Sequence, residues 1–80
     1  MTKSIYDPQY IEMIAQIRAR REEKGISQAE LGSRIGKDQS FISRIEMCER
    51  RIDLIEALRI CEALEIRLEE IIPSSLEHLL

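Results

Sequence analysis

Residues 27–46, SQAELGSRIGKDQSFISRIE, decide how this chain folds. Ser27 is followed three residues later by Glu30, the S-x-x-E spacing of a capping box, so a helix is expected to begin at Ser27. Leu31 and Ile35 fall four apart on one face of it. Gly36 can take the positive φ with which a chain leaves a helix. Asp38 suits the N-cap of a second helix, expected over Gln39–Glu46. There Ile42 and Ile45 share a buried face, Phe41 lies beside it, and Gln39, Ser40, Ser43 and Arg44 lie on other faces. Gly32 falls where two helices joined by so short a turn come closest. A side chain there would push them apart.

The same rules extend outward. Asp7 and Pro8 read as a cap and helix start, with a first helix from about Gln9 to Lys24 and Gly25 ending it. Its apolar stripe is read as Ile11, Ile14 and Ile17, with Arg21 one turn on. Residues 1–8 read as an arm, with Ile5, Tyr6 and the adjoining Tyr10 available to the core or to a partner subunit. Residues 47–52 read as a loop. Asp53 and Glu56 repeat the capping-box spacing and open a fourth helix to Leu64. Its expected stripe is Leu54, Leu58, Cys61 and Leu64, widened by Ile55, Ala57 and Ile60, the pattern of a helix buried on most sides. A short fifth helix, about Leu68–Ile72, is stopped by Pro73. The tail, 73–80, carries Leu76, Leu79 and Leu80. It reads either as a further short helix placed with Ile71 and Ile72 against a second subunit, or as a frayed end. The expected fold class is all-α: one compact five-helix domain, 9–72, between an arm and a tail.

Composition narrows the function. Eighty residues with 44% hydrophobic content build one modest core, which dimerisation would support. No run of eighteen apolar residues predicts a membrane span, and MTKSIYDPQY lacks the apolar region of a signal peptide, so a cytoplasmic protein is expected. Cys48 and Cys61 have no C-x-x-C spacing and His78 is the one histidine, so the cysteines are expected reduced and no metal site is expected. With no glycine-rich phosphate loop and no paired catalytic carboxylates, an enzyme is not expected. No cofactor or small-molecule ligand is evident. The net charge is −3, but it is unevenly spread. Residues 52–80 hold seven acids against Arg59 and Arg67, while 1–26 and 27–51 each carry five basic and four acidic groups. The paired-helix segment is therefore slightly basic, and the acid lies beyond it.

Residues Arg18 to Leu68 resemble the lambdoid-repressor type of helix-turn-helix domain, the XRE-like family. The resemblance is carried by Gln28, Leu31, Gly32, Ile35, Gly36, Ile42, Ile45 and Glu46, with REEKG just upstream. It implies that residues 27–46 are a DNA-reading helix-turn-helix whose second helix enters the major groove. By the family's pattern Gln39, Ser40 and Arg44 touch base edges, Gln28 holds a backbone phosphate, Arg50 and Arg51 meet phosphate, and Arg21 pairs with Glu46 as a structural lock. Lys37 and Ser43 adjoin these residues and join the expected DNA-binding set. Phe41 is either core or a contact to a thymine methyl, and Arg44 reaches guanine or phosphate. The chain departs from the family where glycine is usual at Cys48 and Glu65, and serine at Arg67. A non-glycine at the first of these implies a strained turn.

The expectation is therefore a sequence-specific transcriptional regulator, most simply a homodimeric repressor on double-stranded DNA with a palindromic operator. The alternative is an antitoxin-like or anti-repressor module that uses the same fold, with its acidic, leucine-bearing C-terminal third bound to a protein.

Overall fold

Each α-helix opens on a capping side chain, and the caps set the architecture. The computed structural model describes residues 6–80. The first helix, α1 (Pro8–Glu23), starts on Asp7, whose carboxylate accepts the Gln9 N–H at 2.7 Å, with Pro8 in its first turn. The second, α2 (Gln28–Arg34), starts on Ser27, whose hydroxyl accepts from Glu30 N–H at 3.0 Å. The third, α3 (Gln39–Glu46), starts on Asp38, which accepts from Phe41 N–H at 2.9 Å. The fourth, α4 (Leu54–Leu64), starts on a reciprocal capping box between Asp53 and Glu56. Two 3₁₀ segments follow, Leu68–Glu70 and Ser74–Leu79, so the expected fifth helix is a single tight turn rather than an α-helix. No strand occurs among the described residues.

The core gathers isoleucine and leucine from each α-helix: Ile14 and Ile17 of α1, Leu31 of α2, Ile42 and Ile45 of α3, Ile60 and Leu64 of α4, with Ile71 beyond them. The last of these corrects the reading of the tail. Ile71 is wholly buried in its own domain, not held out for a second subunit. The tail docks too: Ser74 N–H donates to the Glu12 carboxylate at 3.0 Å, and the Gln9 amide donates to the Ser75 hydroxyl at 2.9 Å. It is neither frayed nor turned wholly outward, although Leu79 and Leu80 stay exposed.

Two stripes are phased differently from their sequence reading. On α1 the inward set is Tyr10, Met13, Ile14, Ile17 and Arg21, and Ile11 is exposed. At about 100° per residue those five positions fall on one face, and Ile11 lies about a quarter-turn off it. On α4 the buried set is Ala57, Ile60, Cys61 and Leu64, the i, i+3, i+4, i+7 pattern, while Leu54, Ile55 and Leu58 are exposed. The helix is buried on one side, not most.

The two family glycine positions keep a left-handed backbone with other residues in them: Cys48 has φ +56° and Glu65 φ +57°. Each costs about 1–2 kcal/mol relative to a right-handed residue, and each is held by helix-ending bonds (Glu49 N–H to Arg44 O, 2.8 Å; Ile66 N–H to Cys61 O, 3.0 Å). Of the expected arm, Pro8 opens α1 and Asp7 caps it, while residues 1–5, with Ile5, lie outside the described residues. Tyr10 packs on its own chain, its hydroxyl accepting the Ile52 N–H at 3.0 Å. Among the described residues no helix is long and apolar enough to cross a membrane.

Candidate nucleic-acid interface

Gly32 sets how closely α3 approaches α2. A Cβ on it would lie 2.7 Å from the Asp38 carbonyl oxygen and 2.9 Å from that of Lys37. The missing side chain lets Lys37 N–H donate to the Gly32 carbonyl at 2.8 Å, so the turn folds directly over α2. Gly36 supplies the positive φ, +73°, for that turn. With Ile42 and Ile45 driven into the core, the opposite side of α3 must face outward. Gln39, Ser40 and Arg44 are exposed there and Ser43 half-exposed. The Arg44 guanidinium donates to the Ser40 hydroxyl at 3.0 Å, and among the described residues no carboxylate pairs with it. Serine thereby extends the arginine along the helix, and the serine proton is left to donate elsewhere.

The far end of α3 is locked. Arg21 of α1 grips Glu46 through two bonds, Nε to Oε2 at 2.6 Å and Nη2 to Oε1 at 2.9 Å, and spends Nη1 on the Ile26 carbonyl at 2.8 Å. The Glu46 side chain is only 2% exposed. Its hydrogen bonds hold the Arg21 guanidinium more firmly protonated than usual, against the opposing effect of burial. Gln28 adds a third donor to the same carboxylate at 2.9 Å. One carboxylate therefore joins α1, the start of α2 and the end of α3.

A second cluster surrounds Phe41, which is half-buried. The Arg50 guanidinium lies 4.3 Å from the Phe41 ring centre and the Lys37 ammonium 5.1 Å from it. Arg50 also makes a two-point bond to Glu56, at 2.9 and 3.1 Å, and donates to the Arg51 carbonyl. That contact pulls the Glu56 carboxyl below its ordinary pKa. Arg51 lies over the Tyr10 ring at 5.4 Å and is otherwise exposed. Gly36, Lys37, Asp38, Phe41, Arg44 and Arg50 line an open recess of about 450 Å³.

Two capped helices crossed over a glycine, with a polar outer face on the second, are matched by a sequence profile of the helix-turn-helix family over residues 17–71. The chain belongs to that family. Its repressor-like, XRE-type character follows from the same residues, and DNA-binding transcription regulation is the family's role. Among solved structures it is similar to the restriction-modification controller protein C.AhdI from Aeromonas hydrophila. That pair is 27% identical with a TM-score of 0.76, over 88% of this chain and 99% of that one. It is also similar to a hypothetical transcription factor, NHTF, from Neisseria: 26% identity, TM-score 0.74, 89% of this chain and 82% of that one. No curated protein gives a significant match.

In this helix-turn-helix protein the expected DNA-binding residues fall into separate groups. Gln39, Ser40, Ser43 and Arg44 share the outer face of α3. Lys37, Phe41 and Arg50 form the cluster beside it, and Arg51 stands on Tyr10. Gln28 is turned inward onto Glu46. Arg50 is not a free surface cation, because Glu56 holds it. Phe41 is neither wholly core nor a bare tip, because two cations cover it. Two contributors were not read from sequence: Tyr10, which supports the loop, and Glu56, whose capping role concealed a second one. The Arg50–Glu56 pair spans the loop into α4, a spacing with no helical period to reveal it.

Proposed function

We propose that this protein is a sequence-specific transcriptional regulator, acting as a dimeric repressor that places α3 in the major groove of a palindromic operator. The observation that carries the reading is the outer face of α3. Its Gln39, Ser40, Ser43 and Arg44 are polar, close together and free of carboxylate partners among the described residues, on a helix whose inner face and both ends are fixed. Gln and Arg are the side chains that read adenine and guanine by two-point bonds, each worth about 1–3 kcal/mol of discrimination. Lys37 and Arg50 border that face and supply phosphate contacts in this reading, joined by Arg51 and by the amide hydrogen of Gln28 that Glu46 leaves unspent, and Arg21–Glu46 keeps α3 in position.

Dimerisation is supported by Leu54, Ile55 and Leu58. These three large apolar side chains stay exposed on α4, a helix that packs on α1 and α2. Two copies joined there would present two α3 helices to half-sites about 34 Å apart. The similarity to a restriction-modification controller protein supports the regulator part of this reading; the cytoplasm is its proposed place of action. Selection from random duplexes tests it. The expected product is an inverted repeat with half-sites about 10 bp apart, centre to centre, bound by two protomers. Recovery of no enriched sequence rejects the reading.

A further inference from the structure

We infer that Phe41 is a positioning residue: its ring orders Lys37 and Arg50 around the adjoining recess so that they receive one phosphodiester of the DNA backbone. The inference rests on the groove-reading function proposed above. Phe41 lies in the first turn of α3, beside the polar face but not on it. Its ring is covered by the Arg50 guanidinium at 4.3 Å and the Lys37 ammonium at 5.1 Å. The ring face is therefore already occupied by charge. The ring offers that face to cations, as aromatic quadrupoles do.

Each cation reaches the ring from a different segment: Lys37 from the turn between α2 and α3, Arg50 from the loop after α3. Both are long side chains that lose rotamer freedom when fixed. The ring, and for Arg50 the two-point bond to Glu56, bear part of that ordering before DNA arrives. The recess they border, about 450 Å³, also has Arg44 on its wall. Its one carboxylate, Asp38, already accepts the Phe41 N–H. Lys37, Arg44 and the Glu56-paired Arg50 outnumber the two carboxylates, Asp38 and Glu56, so the open recess at the start of a groove-reading helix stays net positive and fits a doubly oxygenated anion. Arg50 enters the bond with two of its five N–H donors unspent, so Glu56 orients it without consuming it.

Backbone phosphate contacts carry no sequence information. Removing the ring should therefore weaken binding to all duplexes alike. A double-mutant cycle between Phe41→Leu and Lys37→Gln, read as DNA affinity at several salt concentrations, tests this. Lys37→Gln alone should weaken binding several-fold and reduce the salt slope by about one per protomer. Phe41→Leu alone should weaken operator and unrelated DNA equally, by about two- to fivefold for each cation released. In the Phe41→Leu background the further loss from Lys37→Gln should nearly vanish. Phe41→Tyr keeps the ring and should stay within about twofold of the original protein, which separates stacking from folding. Independent, additive losses overturn the inference. So does a Phe41→Leu protein that loses specificity at one base pair while keeping its salt slope, because the ring would then be reading a base. Original protein that binds no duplex rejects the groove-reading function and this inference together, whereas normal operator binding with additive losses rejects this inference alone.

Discussion

A single methyl group on Gly32 tests the account of how α3 is held. In Gly32→Ala the new Cβ meets Asp38 O at 2.7 Å, Asp38 C at 2.9 Å and Lys37 O at 2.9 Å. All three atoms are backbone, so no side chain can swing aside. Ordinary contact begins near 3.4 Å, so the turn must move by about 0.7 Å at Asp38 O. Intrinsic helix propensity favours alanine by about 1 kcal/mol. Against it stand overpacking, about 1–3 kcal/mol, and the weakening of two bonds made at the turn. These are Lys37 N–H to Gly32 O at 2.8 Å and the Asp38 cap on Phe41 at 2.9 Å, each worth about 1 kcal/mol. The expected net is a destabilisation of about 1–3 kcal/mol, or on the order of 5–20 °C in Tm for a domain of this size. DNA affinity should fall as well, because the displaced residue caps α3. Gly36→Ala is the comparison: nothing lies within 4 Å of its Cβ, so its cost comes from φ +73° alone. Thermal unfolding and operator titration of both variants decide the matter. A Gly32→Ala protein that melts at or above the original temperature refutes the steric argument.

Other perturbations follow from the same contacts. Glu46→Leu leaves the buried Arg21 cation unpaired and should cost about 3–5 kcal/mol in denaturant unfolding, while Arg21→Met with Glu46→Leu should recover most of it. Glu65→Gly should raise stability by about 0.5–1 kcal/mol, because the residue is exposed and its φ of +57° suits glycine; a lower Tm would contradict this. Arg50 holds the Glu56 carboxyl below its ordinary pKa, so the stability from this pair is present above pH about 4.3. It is lost as pH falls through the lower folded value, and Glu56→Gln should flatten that acid limb of the stability curve.

What was legible in the sequence was what local chemistry dictates. Asp7, Ser27, Asp38 and Asp53 cap the helices they were expected to start, because capping is decided within three or four residues. Gly32 was legible because a short turn leaves one point of closest approach. Helix phase was less so: in an isoleucine-rich α1 and a leucine-rich α4, more apolar residues are present than one face can bury, and composition does not choose among them. Ile11, Leu54 and Leu58 lost that competition to positions better aligned with Ile17 and Leu64. At the candidate site the outward residues of α3 followed from the buried ones by elimination. The bond between Arg50 and Glu56, the stacking on Phe41 and the inward turn of Gln28 did not, because each joins separate elements and depends on their final approach.

The central claim is that α3 reads base edges. Operator and unrelated duplex affinity measured for Gln39→Ala and Arg44→Ala, on a palindromic site selected from random DNA, tests it most directly. Each variant should lose about 1–3 kcal/mol of discrimination per half-site at its own base position, with the fold unchanged because both side chains are exposed. Operator affinity and specificity identical to the original protein in both variants would contradict it.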